Sequence, residues 1–457
     1  MRMIKLNIII FLFSISCNSQ EKIVDHQIDP NLFGFCTSNS FTYIDTYDIS
    51  FLSKIEEISP NVLRFPGGTI GNFYHPNKAA YGFTPADVEL WYSGRFSNRV
   101  RTLKQAALKK GHDNDYIDDF IVLAKTVNAK VIVNANILTA EKSEIIFVLN
   151  RFKDEGIEVL GVELGSELSN RAYKKNIKSV YDYIKLAKVC SENIKNNFPE
   201  MKVGVVAAPL KKKMPNRLKS WNSILAKEDF YDAIIHHSYH TVVDGEEDAG
   251  VMVSEEELGH SKKNQFNLYK NRILEEIQTG FTSRIKEYNS IFSNREIWIT
   301  EWNLQMTKTT GNTLFQSLFV SHYLLELLSS PELQNIKIAT YHNLAGRDVS
   351  GSIFKGVKGG FEIHSTYLPF KYISNIFDYN VVRIDKYESD NTFTYNCYNK
   401  NNNLVISYTV DWKENYFEYK NYSNDHIRNH KIHYSENLFD IADNKGMFKL
   451  DTSILID

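Results

Sequence analysis

Cysteine is scarce in this chain, with four residues among 457. Cys17 follows an N-terminal apolar run, and the other three, Cys36, Cys190 and Cys397, lie far apart in the sequence. An odd number of dispersed cysteines implies no disulfide framework, and no two of these three have the spacing of metal ligands. The sequence therefore predicts no metal site and no cofactor.

An excess of charge of either sign is also missing. The chain has 53 Lys and Arg residues against 55 Asp and Glu residues, a formal net charge of -2. This balance excludes a global attraction to nucleic acid, so no nucleic-acid partner is predicted. The short basic runs at 109–110 and 211–213 are typical of solvated helix edges.

The N-terminal apolar run, from Leu6 to Ile15, is too short to span a bilayer, and Arg2 and Lys5 precede it, which is typical of a secretory signal peptide. The sequence Ser-Ile-Ser-Cys at its exit resembles a loosened bacterial lipobox, in which Cys17 would be lipidated. Its first position has Ser where Leu is usual, so plain secretion is the alternative. The expected location is the bacterial cell envelope, in the outer membrane or periplasm, with the membrane as a partner through the lipid anchor.

Apolar, β-branched runs alternate with segments of helical period over most of the chain, as in a parallel βαβ array. Eight strands are predicted, at Leu32–Thr37, Val62–Phe65, Lys130–Ile137, Val159–Gly165, Lys202–Ala207, Ala233–Tyr239, Glu296–Thr300 and Lys337–His342. Amphipathic helices are predicted between them, including Asp115–Val127, Asn176–Asn197, Asn267–Ser290 and Thr313–Ser329. This order predicts an α/β fold, a closed (β/α)8 TIM barrel over residues 31–377.

The pattern changes after a predicted helix at about 365–377. From Val381 onward, short alternating stretches such as Thr392–Tyr398 and Leu404–Tyr408 are separated by Asn-rich turns, which predicts an all-β sandwich domain over residues 378–457. Residues 1–17 are assigned to the signal peptide and lipobox, and residues 18–30 to a tether that could add a strand to the sandwich. A barrel with a smaller companion also suits the length, because single cores stop growing beyond about 250 to 300 residues.

Two glutamates stand where predicted strands end. Glu167 ends the fourth strand region and Glu301 follows the seventh strand. Catalytic groups of a (β/α)8 barrel lie at the C-terminal ends of its strands, and strands four and seven lie opposite each other, so the two carboxyl groups should face across one pocket. Cleavage of a glycosidic bond needs such a pair: one group protonates the departing oxygen, and the other, ionised, attacks or supports the anomeric carbon.

Four motifs resemble the clan A glycoside hydrolases. Glu163–Glu167 resembles the strand-four motif of heparanase and β-glucuronidase relatives, and Glu301–Asn303 resembles the strand-seven motif of α-L-arabinofuranosidases. Leu63–Gly68 resembles the second strand of both groups, and Ile235–Tyr239 resembles their sixth strand. The resemblance covers roughly residues 31–377, and its strength is that four motifs occur in the correct order on the correct strands.

The resemblance implies roles for individual residues. Glu167 would be the acid/base and Glu301 the nucleophile of a retaining double displacement, with carboxyl groups about 5 to 5.5 Å apart. Arg64 would reach the nucleophile carboxylate, and Tyr239 would donate a hydrogen bond to it. Ser166 replaces the clan's usual Asn, whose side chain contacts the sugar 2-hydroxyl, and this puts the rate and the sugar identity in question.

Several supporting residues also have structural interpretations. Arg64 could merely cap a strand, and Tyr239 could be a core aromatic. The spacing of three nearby histidines, at 236, 237 and 240, matches no compact zinc motif. The remaining candidates for substrate contact, some of which could equally satisfy loop backbone, are Asn134, Asn136, His237, Trp302 and Asn343.

The predicted function is a retaining glycoside hydrolase acting on a polysaccharide or oligosaccharide, with arabinofuranoside or uronide linkages implied by the mixed motifs. The segment Tyr74–Gly111, which contains Trp91 and Tyr92, is predicted to form a lid or subsite wall. Ser166 motivates the alternative, a non-catalytic surface glycan-binding lipoprotein with a degenerate glycosidase barrel. A barrel esterase or deacetylase is disfavoured because the chain has no Gly-x-Ser-x-Gly elbow and no clear metal set.

Overall fold

The computed structural model describes residues 28–93, 96–109, 115–210, 214–243, 246–248, 251–253, 262–305, 307, 309–346, 351–422 and 428–448. The predicted signal peptide with Cys17, and the tether up to residue 27, lie outside these residues. Within the described part of the chain, no helix combines the length and the apolar character needed to cross a bilayer.

Eight parallel strands close into a barrel, which confirms the predicted fold class. Each strand pairs with the next one along the chain, and the eighth pairs with the first. The bounds differ from the predicted ones by a few residues, and the seventh strand continues beyond Thr300 to Leu304. The strands are β1 (Gly34–Cys36), β2 (Val62–Phe65), β3 (Lys130–Asn134), β4 (Val159–Glu163), β5 (Val203–Val206), β6 (Ala233–His240), β7 (Glu296–Leu304) and β8 (Ile336–His342).

Helices surround the barrel, and several begin at the caps that the sequence provides. Asp115 and Asp118 form a capping box at the start of α4, and Ser179 and Asp182 form one at the start of α6. The helices are α1 (Ile49–Glu56), α2 (Pro85–Trp91), α3 (Phe96–Lys109), α4 (Tyr116–Thr126), α5 (Lys142–Asp154), α6 (Val180–Asn197), α7 (Trp221–Leu225), α8 (Lys262–Glu275), α9 (Phe281–Ile291), α10 (Leu314–Ser329), α11 (Tyr367–Ile373) and α12 (Asn375–Asp378). A π turn at Glu276–Gly280 joins α8 to α9. Short strands pair outside the barrel at Glu246–Asp248 with Val251–Val253, and at Ala345–Gly346, Phe354–Val357 and Gly360–Ile363.

The C-terminal region is all β, as predicted. Its five antiparallel strands, paired in chain order, are β9 (Val381–Ser389), β10 (Thr392–Asn399), β11 (Leu404–Asp411), β12 (Tyr416–Asn421) and β13 (Arg428–Tyr434). This sheet packs against α10, where Phe315 contacts Trp412 at 5.6 Å between ring centroids. On its other side α10 packs against the barrel, with Phe319 6.3 Å from Trp302.

Helix α10 therefore differs from the amphipathic helix that the sequence predicts. Its residues from Leu314 to Leu328 are all buried, because one side faces the barrel and the other faces the C-terminal sheet. A helix enclosed in this way is buried on all sides, and the polar residues that it carries towards the sheet, such as His322 and Glu326, are paired there. It belongs to the core of both parts of the molecule.

The barrel interior is built in layers of inward-facing side chains. Its floor is apolar, and Trp298 fills much of it. The indole fits because β4 and β5 carry glycines there: a Cβ at Gly161 would lie 2.3 Å from the ring, and one at Gly204 would lie 2.9 Å from it. Because side chains alternate along a strand, the residues two positions later form the next layer, and in this layer they are polar. Polar residues of this layer include Cys36, Arg64, Asn134, Glu163, His237 and Thr300, and His342 lies at the same level on β8 because it pairs with Cys36.

Candidate active site

Arg64 lies at the centre of the polar layer and is completely buried. Its Nε and Nη2 donate to the two carboxylate oxygens of Glu163 at 2.6 and 2.8 Å, and Nη1 donates to Glu301 Oε1 at 2.6 Å. A buried guanidinium is stable only when carboxylates satisfy it in this way. Arg64 thus contacts the predicted nucleophile rather than simply capping its strand.

Glu301 lies at the wall of the barrel with 6% of its side chain exposed. Tyr239 donates its hydroxyl hydrogen to Oε2 at 2.5 Å, and Nδ1 atoms of His237 and His342 lie 3.5 and 3.6 Å away. Burial opposes ionisation, but the charges of His237, His342 and Arg64 and the hydrogen bond from Tyr239 outweigh it. They hold the pKa of Glu301 well below its usual value, so this carboxylate is ionised, as a nucleophile must be.

Glu167 stands in the turn after β4 and is the more open of the two, with 38% of its side chain exposed. The turn uses the left-handed backbone region twice, at Gly165 (φ +84) and at Glu167 itself (φ +52). For a residue other than glycine this conformation costs about 1 to 3 kcal/mol and persists only where the surroundings hold it. Asn72 supplies such a hold, because its side chain accepts from the backbone N–H of Ser166 and donates to its carbonyl oxygen.

The two glutamates face each other across the pocket, as the sequence predicts. His237 Nδ1 lies 3.0 Å from Glu167 Oε1, and one atom each of Glu167, His237 and Glu301 lie within 4.8 Å of one another. Burial alone would lower the pKa of His237, but the neighbouring Glu301 and Glu167 raise it above its usual value. An imidazole that readily carries a proton therefore bridges the two carboxyl groups.

Among the residues that the structure describes, two groups of side chains have the spacing of metal ligands: Glu167, His237 and Glu301, and also Cys36, Glu301 and His342. Both depend on Glu301, whose other oxygen is ion-paired with Arg64, and the guanidinium would repel a cation at that carboxylate. Burial also raises the pKa of the Cys36 thiol to about 12, which disfavours the thiolate that a metal prefers. The donor chemistry is therefore poorly suited to a resident cation.

Two of the predicted asparagines remain available to a ligand. Asn134 and Asn343 are buried, and within the described residues the side-chain oxygen of each has no hydrogen-bond partner. A buried polar atom without a partner is costly, so a hydroxyl group delivered by a ligand would be a favourable neighbour. Ser166 is different, because its Oγ lies 3.2 Å from Arg64 Nη2 and accepts a hydrogen bond from it.

Two predicted substrate contacts need correction. Trp302 is 1% exposed, and its ring packs against Tyr323 and Tyr341 on the outer side of the barrel wall, because neighbouring residues of a strand point to opposite faces. The Asn136 side chain holds the loop after β3 by bonding to Tyr74 and Thr139, and it borders a mainly apolar cavity between α5 and α6. Neither side chain contacts the two glutamates.

The predicted lid segment forms part of the wall beside Glu167. In its described portion, Ser93 N–H donates to the carbonyl oxygen of Ala172, and the Tyr92 ring contacts Tyr173 at 5.1 Å. Residues 172 and 173 belong to the loop that follows the acid/base candidate. The segment therefore packs against the loop that follows Glu167.

Sequence reasoning missed four residues that complete the site: Asn72, Glu163, Thr300 and His342. Glu163 lay within a quoted motif but was not selected, although the need of a buried Arg64 for carboxylate partners could have indicated it. The hydroxyl of Thr300 donates to Glu163 Oε2 at 3.2 Å and lies 3.3 Å from His237 Nε2. No short sequence signal marks Asn72, whose partner is 94 residues away.

No protein-family model matches the sequence, and no curated protein matches it either. Solved structures with a similar fold include the GH51 arabinofuranosidase from Xanthomonas axonopodis pv. citri, with 12% identity, a TM-score of 0.56, and coverage of 87% of this chain and 83% of that chain. The α-L-arabinofuranosidase from Thermotoga maritima has 15% identity and a TM-score of 0.52, with the same coverage of 87% and 83%. A 4-O-α-L-rhamnosyl-β-D-glucuronidase from Fusarium oxysporum 12S has 11% identity and a TM-score of 0.51, over 84% of this chain and 78% of that chain. The resemblance to clan A glycoside hydrolases is thereby confirmed at the level of the fold.

Proposed function

We propose that this protein is a retaining glycoside hydrolase. The observation that carries the proposal is the facing pair of Glu301 and Glu167, in which one carboxylate oxygen of each residue lies within 4.8 Å of the other. Retaining enzymes hold the two carboxyl groups about 5 to 5.5 Å apart, whereas inverting enzymes need about 6.5 to 9.5 Å to admit a water molecule. The close approach favours direct attack by one carboxylate.

The proposed reaction has two steps. Glu301 attacks the anomeric carbon while Glu167 gives its proton to the leaving oxygen, so that the glycosidic bond breaks and a glycosyl-enzyme forms. Glu167, now a carboxylate, takes a proton from water, and the oxygen of that water displaces Glu301 from the sugar. Arg64 and Tyr239 orient Glu301 for the attack.

The proposed substrate is a polysaccharide or oligosaccharide. The similar structures are named for arabinofuranoside and glucuronide cleavage, and the sequence motifs point to the same two linkage types. The unpartnered oxygens of Asn134 and Asn343 support a hydroxyl-rich ligand.

A second candidate function is glycan binding without turnover at the cell surface. It is favoured by Ser166, whose hydroxyl is engaged by Arg64 where related enzymes use an asparagine. The asparagine contacts the sugar 2-hydroxyl, and this contact normally strengthens in the transition state. Its loss would therefore weaken catalysis more than binding.

A panel of aryl glycosides, including α-L-arabinofuranosides and β-D-glucuronides, tests the proposal. We expect wild-type hydrolysis of at least one member, a loss of about 10³-fold or more in Glu301→Gln, and little change in Glu326→Gln. Glu326 is a matched control because it is a buried carboxylate on α10, outside the pocket. The first sugar released, followed by NMR, should keep the anomeric configuration of the substrate.

Azide separates the roles of the two glutamates. Glu167→Ala with azide should yield a glycosyl azide of retained configuration, and Glu301→Ala should yield one of inverted configuration, because azide then replaces the nucleophile. Equal rates in wild type and Glu301→Gln would reject the enzyme assignment. Oligosaccharide binding without hydrolysis by the wild type would favour the second candidate.

We also propose that the mature protein is anchored in the cell envelope through a lipid on Cys17. The support is the basic and apolar N-terminal run that ends in a lipobox-like sequence. Metabolic labelling with an alkyne fatty acid should tag the wild type and leave Cys17→Ala unlabelled. Labelling of neither protein would indicate plain secretion.

A further inference from the structure

Glu163 is a buried carboxylate that the two-step reaction leaves without a chemical role. It has no exposed surface, and it accepts two hydrogen bonds from Arg64. Its Oε2 accepts a third from the hydroxyl of Thr300 at 3.2 Å. Glu163 is therefore a shared acceptor at the base of the site, below both catalytic glutamates.

The hydrogen on Thr300 has only one place to go. A carboxylate ion-paired with arginine can only accept, so the Thr300 hydroxyl must donate to Glu163. Its one hydrogen is then used, and towards His237 Nε2, 3.3 Å away, the hydroxyl oxygen can only accept. The hydrogen of that contact must be carried by His237 Nε2.

We propose that Glu163 and Thr300 form a buried relay that keeps a hydrogen on His237 Nε2 and so leaves Nδ1 to share one proton with Glu167. The inference rests on the proposed function for its catalytic meaning, but the hydrogen-bond arrangement does not require turnover. In this scheme Glu163 and Thr300 are positioning residues that act on the acid/base through His237.

The single proton shared by Glu167 and His237 explains how this pair could act as the acid. Either Glu167 is protonated and donates to neutral His237 Nδ1, or Glu167 is ionised and accepts from protonated His237, and the two states contain the same single proton. The first state is the one that protonates a leaving oxygen. With a hydrogen on Nδ1 instead of Nε2, neutral His237 would be unable to accept from protonated Glu167.

Other charged and titratable groups also face His237, and they set the sign of its response. The carboxylates favour the imidazolium, and Arg64 opposes it. The groups on the inner side of the barrel around the ring are Cys36 on β1, Arg64 on β2, Glu163 and Glu167 on and after β4, Tyr239 on β6 itself, Glu301 on β7 and His342 on β8. His236, the neighbour of His237 on β6, points to the outer side, where its ring packs against Tyr288 on α9. Removing the acceptor at Nε2 should therefore make the imidazolium less stable.

The ring nitrogens of His237 report on the relay directly. In protein labelled with ¹⁵N-histidine, long-range ¹H–¹⁵N spectra distinguish the two neutral tautomers, and the signals of His237 are those lost in His237→Gln. In the wild type above the titration midpoint, we expect the tautomer with hydrogen on Nε2. A neutral ring with hydrogen on Nδ1 would overturn the relay without any positioning variant being needed.

Threonine variants test the same point by a second route. In Thr300→Val the midpoint of His237 should fall by about 1 pH unit, and the alkaline limb of kcat/KM should move to lower pH with KM little changed. Thr300→Ser keeps the hydroxyl, so its His237 midpoint and its alkaline limb of kcat/KM should match those of the wild type. Thr340→Val is the matched control, because this buried hydroxyl on β8 donates to the backbone oxygen of Thr300 and not to His237.

Glu163→Gln tests the anchor of the relay. The amide can donate to Thr300, which frees the hydroxyl to turn and donate to Nε2, so a neutral tautomer with hydrogen on Nδ1 should appear. Circular dichroism would show whether Thr300→Val is folded. If it is folded and the titration midpoint of His237 is unchanged, the relay is overturned. Absence of hydrolysis in the wild type would overturn the proposed function and leave the tautomer result to stand separately.

Discussion

The Tyr239 hydroxyl donates a hydrogen bond to the carboxylate of the proposed nucleophile, at 2.5 Å from Glu301 Oε2. Without this hydrogen bond the pKa of Glu301 should rise, so in Tyr239→Phe the acid limb of kcat/KM should move to higher pH. Hydrogen bonds to charged groups contribute about 1.5 to 3 kcal/mol, so kcat/KM should fall about ten- to a hundredfold. The measurement is a pH–rate profile with the aryl glycoside that the wild type cleaves.

Tyr231→Phe controls for the loss of a buried tyrosine hydroxyl. Tyr231 donates to the backbone oxygen of Leu225 on the outer side of the barrel and touches none of the carboxylates. This variant should change thermal stability slightly and leave the pH profile in place. If the acid limb of kcat/KM is the same in Tyr239→Phe and in the wild type, the ionisation of Glu301 does not control activity at low pH.

The close approach of Glu167 and Glu301 was predictable because each of them follows an apolar strand, and the contact of Arg64 with Glu301 was predictable because a buried arginine needs an acidic partner. The role of Thr300 was not predictable. It points into the barrel together with its neighbour Glu301, which strict alternation forbids. Register shifts of β7 against β6 and β8 permit this, and bulges of that kind leave no mark in the pattern of a single strand.

Among the elements, β7 is almost wholly buried and extends to Leu304, beyond its predicted end at Thr300, whereas the bounds of β2 agree with the prediction at both ends. Helix α10 differs from the prediction in its burial. Its sequence was interpreted as amphipathic, but the C-terminal sheet covers the face that would otherwise meet water. Which sheet covers a helix depends on contacts between distant parts of the chain, and helical periodicity contains no information about them.

The barrel floor gives a prediction at the scale of strands. Gly161→Ala would place a methyl group against the Trp298 indole, where a Cβ has only 2.3 Å, and both belong to rigid strands. Overpacking of this kind lowers the free energy of unfolding by about 1 to 3 kcal/mol. Urea denaturation of the purified variant measures the loss.

A double variant shows whether the indole is the cause. Trp298→Phe is itself expected to destabilise the barrel by leaving a void, but it also makes room beside Gly161. The cost of Gly161→Ala should therefore be smaller in the Trp298→Phe background than in the wild type. Strictly additive losses would show that the methyl group is accommodated without pressing on residue 298.

At the scale of the whole molecule, the two parts share one helix and should not unfold separately. Besides the ring contacts, Tyr395 of the sheet donates to Glu326 on α10, and Trp412 donates to His322 at 3.1 Å. The predicted boundary at residue 378 therefore separates segments of sequence but does not divide the core. Melting the sheet would expose the buried outer side of α10, leave its polar residues without their partners and remove support from the barrel wall beneath Glu301.

Trp412→Ala tests this coupling. The indole is completely buried between the sheet and α10, so its removal should lower the free energy of unfolding by about 3 to 5 kcal/mol. Activity and circular dichroism should be lost together, in one transition at a lower temperature, because the barrel loses its α10 support when the sheet melts. Val382→Ala, at a position 43% exposed on the same sheet, should melt like the wild type. Two separate transitions, with hydrolysis surviving the first, would show that the barrel stands without the C-terminal sheet.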